Sequence, residues 1–345
     1  TLVLALGAGA LAATPPGDSV RGWVRDLVAG STTPPRPAPS LDRLPAPGRL
    51  LVTGPGGAWI VAADGSRRRL GPYTQATWSP HGLFVGAVRG RQLVAVDPGG
   101  VVRWTLAAPL RVRDPRWAPS GFRVAYRAGA SLRVVAGDGS GDRLIARHVA
   151  PVAPAWRPAG ARNELTYVDG AGALVRVDVD TGRRLSRTRP VGLGGRPRTL
   201  EWSASGRRLL VMGPGAAQTL TPAGAVAGRS RAPAGATLIA AALAPDARRV
   251  ALVSAARSGH RTVLIVTPDP GSRTLFATGG GGVDSVAWSP DGRILLVPWA
   301  GTDQWLFLGT GGGTRTTAVA HVAVQFDIAS DHPRGAPTID GWCCR

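Results

Sequence analysis

Short apolar runs with strict alternation recur along the chain, each bounded by glycine, proline and aspartate. The clearest is VAWSPDGRILLV at 286–297. Val286, Trp288, Ile294 and Leu296 are apolar, strand-favouring residues on either side of a Ser-Pro-Asp-Gly turn. Pro290 presets φ for the first central position of a type I turn, and Asp291 can bond its own backbone. Gly292 then takes the positive φ that closes a three-residue hairpin loop.

The same turn returns as WSPHG at 78–82, WAPSG at 117–121, WRPAG at 156–160, WSASG at 202–206 and, without Trp, LAPDA at 243–247. The leading positions 78, 117, 156, 202, 243 and 288 are separated by 39, 39, 46, 41 and 45 residues. A strand-rich period of about 40 residues is the signature of a β-propeller with one four-stranded blade per repeat. The residues after each turn agree with that architecture. A second strand comes at once (83–88, 122–126, 164–168, 208–212, 249–253 and 294–299), and a third comes next, as in QLVAVD and TVLIVTP. A fourth carries more arginine, as in VVRWTL and RRLSRT, and only the stretch around 225–231 fits poorly.

Residues 49–70 match strands two to four of a blade that lacks its first strand. AHVAVQFD at 320–327 is the expected missing strand, with Phe326 38 residues after Trp288. Pairing it with the N-terminal segment closes the circle without a free edge. The expected fold is all-β, a seven-bladed β-propeller over 48–327 with one blade shared between the N- and C-terminal segments. Residues 328–345 are left as a C-terminal tail, and six or eight blades stay open as alternatives.

The W-S-P-D-G repeats resemble those of the TolB-type WD-like propeller family over roughly residues 48–327. TolB itself carries a separate α/β domain before its propeller, whereas about 48 residues precede the first blade here. The family's role in envelope assembly is therefore not implied, and the repeat implies a fold that hosts many functions.

The first residues bear on location. TLVLALGAGALAA (1–13) is uncharged and apolar, and shorter than the roughly 20 residues of a spanning helix. Residues 1–16 read as the end of a truncated membrane helix, as a signal segment with Ala10-Leu11-Ala12 near the cleavage point, or as a buried helix. In 17–30, Val20, Trp23, Val24, Leu27 and Val28 fall on one helical face, suited to a membrane surface or to the propeller's side. Residues 31–47 read as a Pro-rich linker. Together these features are similar to actinobacterial membrane-tethered extracytoplasmic propellers, which implies a cell-membrane location with the propeller outside, or secretion if the segment is cleaved.

Charge changes the picture less than its size suggests. The chain carries 41 basic and 21 acidic side chains, a net charge of +20, and every basic residue is arginine. A genome rich in G and C gives such a composition. A basic surface drawn to anionic lipid, cell-wall polymer or nucleic acid is the alternative. Nucleic acid is the least favoured, because no helical DNA-reading motif or aromatic RNA-binding signature is present and aromatics are only 6%.

Catalytic signatures are lacking. There is no Gly-x-Ser-x-Gly elbow, phosphate-binding Gly-Lys loop, His-Glu-x-x-His or paired CxxC. His81, His148, His260, His321 and His332 are scattered, and His81 replaces the turn Asp of one repeat near the rim. Asp178 and Asp180, and the GDGSGD stretch at 137–142, read as turn chemistry, with calcium a minor alternative. Gly279–Gly282 reads as a linker. Cys343 and Cys344 are the only cysteines; they could form a vicinal disulfide, bridge to another chain, bind a soft metal, or stay inert beside Trp342.

The sequence thus predicts no catalytic, cofactor or metal site and leaves the binding residues unassigned. The expected role is a monomeric, non-catalytic, membrane-tethered interaction or scaffolding module, with an envelope protein or anionic envelope polymer as partner. A sensory or regulatory ectodomain is one alternative. A propeller enzyme acting on a glycan or small molecule at the channel mouth is the other.

Overall fold

The computed structural model describes residues 41–158, 162–267, 271–311, 315–328 and 337–344. Twenty-eight strands in this part of the chain form seven four-stranded antiparallel sheets. Six blades are continuous in sequence. They are β4–β7 (Gln75–Ala107), β8–β11 (Val112–Ala146), β12–β15 (Ala155–Thr188), β16–β19 (Thr199–Arg231), β20–β23 (Ala236–Thr278) and β24–β27 (Ala287–Ala320). We number them blades 2 to 7. Blade 1 is composite: β28 (Thr338–Cys343) is its inner strand, followed outward by β1 (Arg49–Gly54), β2 (Gly57–Val61) and β3 (Arg67–Gly71).

The inner strands touch in the unbroken circle β28, β4, β8, β12, β16, β20, β24 and back to β28. Between each pair of neighbouring blades lies one hydrophobic cluster, so the molecule has seven inter-blade cores. Middle strands are covered on both faces and read as apolar runs, such as ILLVPW in β25, buried at every position. The fourth strand of blade 2 packs on one face only, and β7 alternates between exposed and half-buried residues over most of its length.

The repeated turn forms as its chemistry dictates. Gly292 has φ +68°, Asp291 Oδ1 accepts from the Arg293 amide at 3.0 Å, and Ser289 Oγ accepts from the Ile294 amide at 3.0 Å. The repeat Trp ends the inner strand in blades 2, 3, 4, 5 and 7. Three of these indoles are clamped alike. Arg49, Arg157 and Arg249 of the preceding blade lie 5.0, 5.4 and 4.9 Å from the ring centres of Trp78, Trp202 and Trp288. Each also donates to the carbonyl of the following turn glycine, Gly82, Gly206 or Gly292. One arginine thus ties two blades through a cation–π contact and a charge-assisted hydrogen bond.

The ring closes at a different place from the one the pattern suggested. The closing strand is β28, not 320–327. Ala320 ends β27, His321 and Asp327 have φ of +54° and +55°, and Val324–Phe326 form a 3-10 turn. Asp303 holds that turn by accepting from the Ala323 amide at 2.6 Å. The apolar alternation serves as a plug: Phe326 is buried against Trp305 and Trp59, with centroids 5.3 and 5.8 Å apart. Residues 338–343 therefore belong to the propeller and not to a tail. Trp342 takes the place of the repeat Trp and donates to Pro47 O at 3.1 Å. The stretch 225–231, weak in the sequence pattern, forms β19 (Val226–Arg231).

The last residues of the expected linker are packed. Leu41 and Leu44 are buried in the cluster between blades 7 and 1, and the Leu44 amide donates to Ala63 O at 3.0 Å. The segments expected at 1–16, 17–30 and 31–40, and His332, lie outside the described residues. Among those described, no helix is long and apolar enough to cross a membrane.

Candidate functional site

Two places stand out, one on a face of the disc and one near its axis. The turns joining first to second and third to fourth strands lie on one side, the turn face. The blade-to-blade loops and the second-to-third turns lie on the other, the loop face.

On the turn face a groove of about 630 Å³ runs between blades 2 and 3. Its walls are aromatic. Trp104 on β7 donates its indole N–H to Gly137 O at 2.8 Å, which fastens the outer strand of blade 2 to a turn of blade 3. A Cβ at Gly139 would lie 2.8 Å from the Trp104 ring, so glycine is required for that seat. Phe84 stacks on Trp117, 6.1 Å away with planes 14° apart. Phe122, beside the repeat turn of blade 3, is 70% exposed. Leu83, Val101 and Val102 extend the exposed apolar surface on the turn face of blade 2.

The groove's rim is charged and internally paired. Arg103 meets Asp97 at 2.7 Å, and Arg123 meets Asp180 at 3.2 Å. Asp138 Oδ1 accepts from the Ser140 hydroxyl and amide at 2.7 and 2.9 Å, which holds its carboxyl below the usual range. A second groove of about 340 Å³ continues past Arg123 and Arg143 to Asp180 on blade 4. This geometry suits an extended apolar or aromatic segment, since the rim charges already have partners.

The axis presents different chemistry. Inner strands are sheet edges, so their outward N–H groups need acceptors. Glu201 on β16 accepts from the Leu243 amide of blade 6 at 2.9 Å, and Gln75 on β4 accepts from the Asp114 amide of blade 3 at 2.7 Å. Asp340 sits in a bulge of β28, skipped where Leu51 pairs with Gly341 and Val52 with Ile339. Bulges re-aim side chains. Asp340 bonds Thr53 and the Ala76 backbone through its carboxyl, yet its Oδ2 is enclosed and has no partner.

Burial raises Glu201 to about 7, against the lowering pull of the Leu243 amide and the Arg116 charge. Burial likewise raises Asp340 to about 7, opposed by Thr53, Arg116 and Ala76. Arg116, on the inner strand β8, favours the charged form of carboxyls on the inner strands of blades 1 and 5 alike. Both carboxyls are poised to exchange protons near neutrality.

The residues singled out from sequence do not gather into one site. His81, His148, His260 and His321 are exposed on different blades. Asp180 is engaged by Arg123, Arg143 and Asn163, and Asp178 Oδ1 accepts from the Asp180 amide at 3.1 Å. In 137–142, Asp142 is held by Arg133 at 2.7 Å and by the Tyr126 hydroxyl at 2.8 Å. Among the described residues no group of three His, Cys, Asp or Glu side chains could hold a metal. Cys343 and Cys344 form the vicinal disulfide, one of the alternatives left open by the sequence.

No family model matches the chain, and no curated protein matches it. Solved structures do. One is Kuenenia stuttgartiensis hydrazine synthase, with TM-score 0.57 and 15% identity, covering 82% of this chain and 80% of that one. Another is the Myceliophteria thermophila Cps50 (Swd1) β-propeller domain, with TM-score 0.55 and 14% identity over 71% of this chain and 85% of that one. At such identity the likeness establishes the fold alone: the chain is a seven-bladed β-propeller.

Proposed function

We propose that this chain is a non-catalytic interaction module, held at the extracytoplasmic side of a membrane, whose partner-binding surface is the groove between blades 2 and 3. The observation that carries the reading is Phe122, 70% exposed above a rigid aromatic floor. Exposed aromatics beside a preformed apolar groove are the usual anchors of recognition. The apolar run at 1–13, with the segments that follow it, supports the envelope setting.

The test is selection of peptides from a random display library on the full chain. Enriched sequences should share an aromatic or branched apolar anchor, and Phe122→Ser should weaken them at least about tenfold. Enrichment indifferent to Phe122→Ser, or none at all, would remove the groove from the proposal.

A second reading, a small molecule or glycan handled at the channel mouth, is favoured by one observation. Glu201, Asp340 and Arg116 place two carboxyls titrating near neutrality and one cation beside the axis.

A further inference from the structure

The arginines are not spread evenly. Residues 181–245 hold ten arginines and one carboxylate, Glu201, whereas residues 246–345 hold nine arginines and eight carboxylates. Codon bias enriches arginine everywhere and does not account for the local loss of acids. The span covers the outer strand of blade 4, the loop to blade 5, blade 5 itself and the inner strand of blade 6. Its lone carboxylate is turned to the axis, where it accepts from Leu243.

The fold places six of these ten arginines at or toward the loop face, while Arg183, Arg184, Arg207 and Arg208 lie at turns of the opposite face. Arg187 pairs with Val175 and Arg231 with Ala216, each at or next to the loop-face start of a third strand. Arg189, Arg196 and Arg198 flank or belong to the loop between β15 and β16, and Arg229 lies two residues before Arg231. All six are exposed. Among the described residues, their single ion pair is Arg187 with Asp169, at 2.8 Å.

An apolar tip projects from the middle of this cluster. The Val191 carbonyl accepts from Gln218 Nε2 at 2.7 Å and from Arg229 at 3.2 Å, and the Leu193 carbonyl accepts from the Gly215 amide at 2.7 Å. Leu193 is buried while Val191 is 69% exposed. The loop is pinned to blade 5 from beneath, and its valine faces outward.

We propose that the loop face of blades 4 and 5 docks on an anionic phospholipid bilayer, with the arginines meeting headgroup phosphates and Val191 entering the interfacial layer. Guanidinium groups bind phosphate oxygens in pairs and retain their charge at any physiological pH. A soluble anionic polymer would use the arginines but gain nothing from Val191. Single-stranded nucleic acid would need stacking rings, and the only aromatic residue of the span, Trp202, is buried. Docking this face leaves the groove of blades 2 and 3 on the side turned away from the membrane, although lipid docking does not depend on that groove.

The test is cosedimentation of the full chain with phosphatidylcholine vesicles and with vesicles also containing phosphatidylglycerol. The quantity read is the ratio of the two affinities, to which insertion of an apolar N-terminal segment contributes equally. Anionic vesicles should be preferred, less so at high salt. Arg189→Gln, Arg196→Gln and Arg198→Gln together should cut the preference at least about tenfold. Val191→Ser should weaken anionic-vesicle binding about threefold while leaving binding to soluble polyphosphate unchanged. All four positions are exposed, so an unaltered melting curve verifies the fold of each variant. A preference unaffected by the triple substitution would overturn the proposal. So would sensitivity to the arginines with none to Val191, which would assign the patch to a soluble polyanion.

Discussion

Glu201 and Asp340 are the described carboxyls that the fold raises furthest. Both are raised from ordinary carboxyl values, 4.5 and 3.8, to about 7 by burial. A raised pKa means that the folded state binds protons that the unfolded state has released. The associated stability is complete below about pH 4 and is lost as pH rises through 7. Carboxyls held low, such as Asp246 and Asp291, act in the opposite sense but only as pH falls below about 4. The melting temperature should therefore decline from pH 5 to pH 8. Glu201→Gln, which cannot ionise, should flatten that slope by on the order of 2 kcal/mol across the range. Parallel slopes for the two proteins in calorimetry would show that Glu201 is solvated in solution. A signal for this site is present in the sequence. The residue before each repeat Trp is Thr77, Ala155 or Ala287 in three blades, but Arg116 and Glu201 in two others. Charge at a position otherwise small and neutral marks a side chain near the axis. Asp340 breaks that spacing because of its bulge, and Gly341 stands directly before Trp342.

At the scale of the element, the hairpin turn carries the most local information. Gly292 has φ +68°, and a Cβ there would come 3.0 Å from Arg249 Nη2, the atom that ties blades 6 and 7. Gly292→Val should then cost about 3 kcal/mol, through strain at positive φ and loss of the clamp. A change below about 1 kcal/mol in urea unfolding would show that the turn relaxes freely. The turn was legible because Ser-Pro-Asp-Gly chemistry acts within a few residues. The same locality explains what was not legible. AHVAVQFD has the composition of a strand, yet Asp303 and the left-handed residues His321 and Asp327 fold it into a plug. TIDGWC has polar, glycine-bearing composition, yet it becomes a strand because β1 offers it an edge far away in sequence. The groove was likewise hidden. Phe122 reads as one more strand residue, and only the meeting of blades 2 and 3 leaves it exposed beside Trp104.

For the whole molecule the decisive contact is the one between its two ends. β28 contributes Trp342 to the cluster between blades 7 and 1 and covers the inner edge of β1. Ending the chain after residue 336 should cost at least about 5 kcal/mol or abolish folding, because it exposes Leu50 and Val52 and opens the ring. A melting curve matching the intact chain would mean that six complete blades suffice. Replacing Cys343 and Cys344 with serine should matter far less than the truncation, since their disulfide spans adjacent residues and encloses no loop. The antiparallel register of this closure has a mechanical consequence. Arg49, where β1 begins, lies opposite Cys343, where β28 ends. Tension applied across the two ends would load the ladder at one rung at a time, as a zipper is opened, and not in shear along its length. Leu41 and Leu44 would have to peel from blades 7 and 1 first, so these two leucines act as the catch on that zipper.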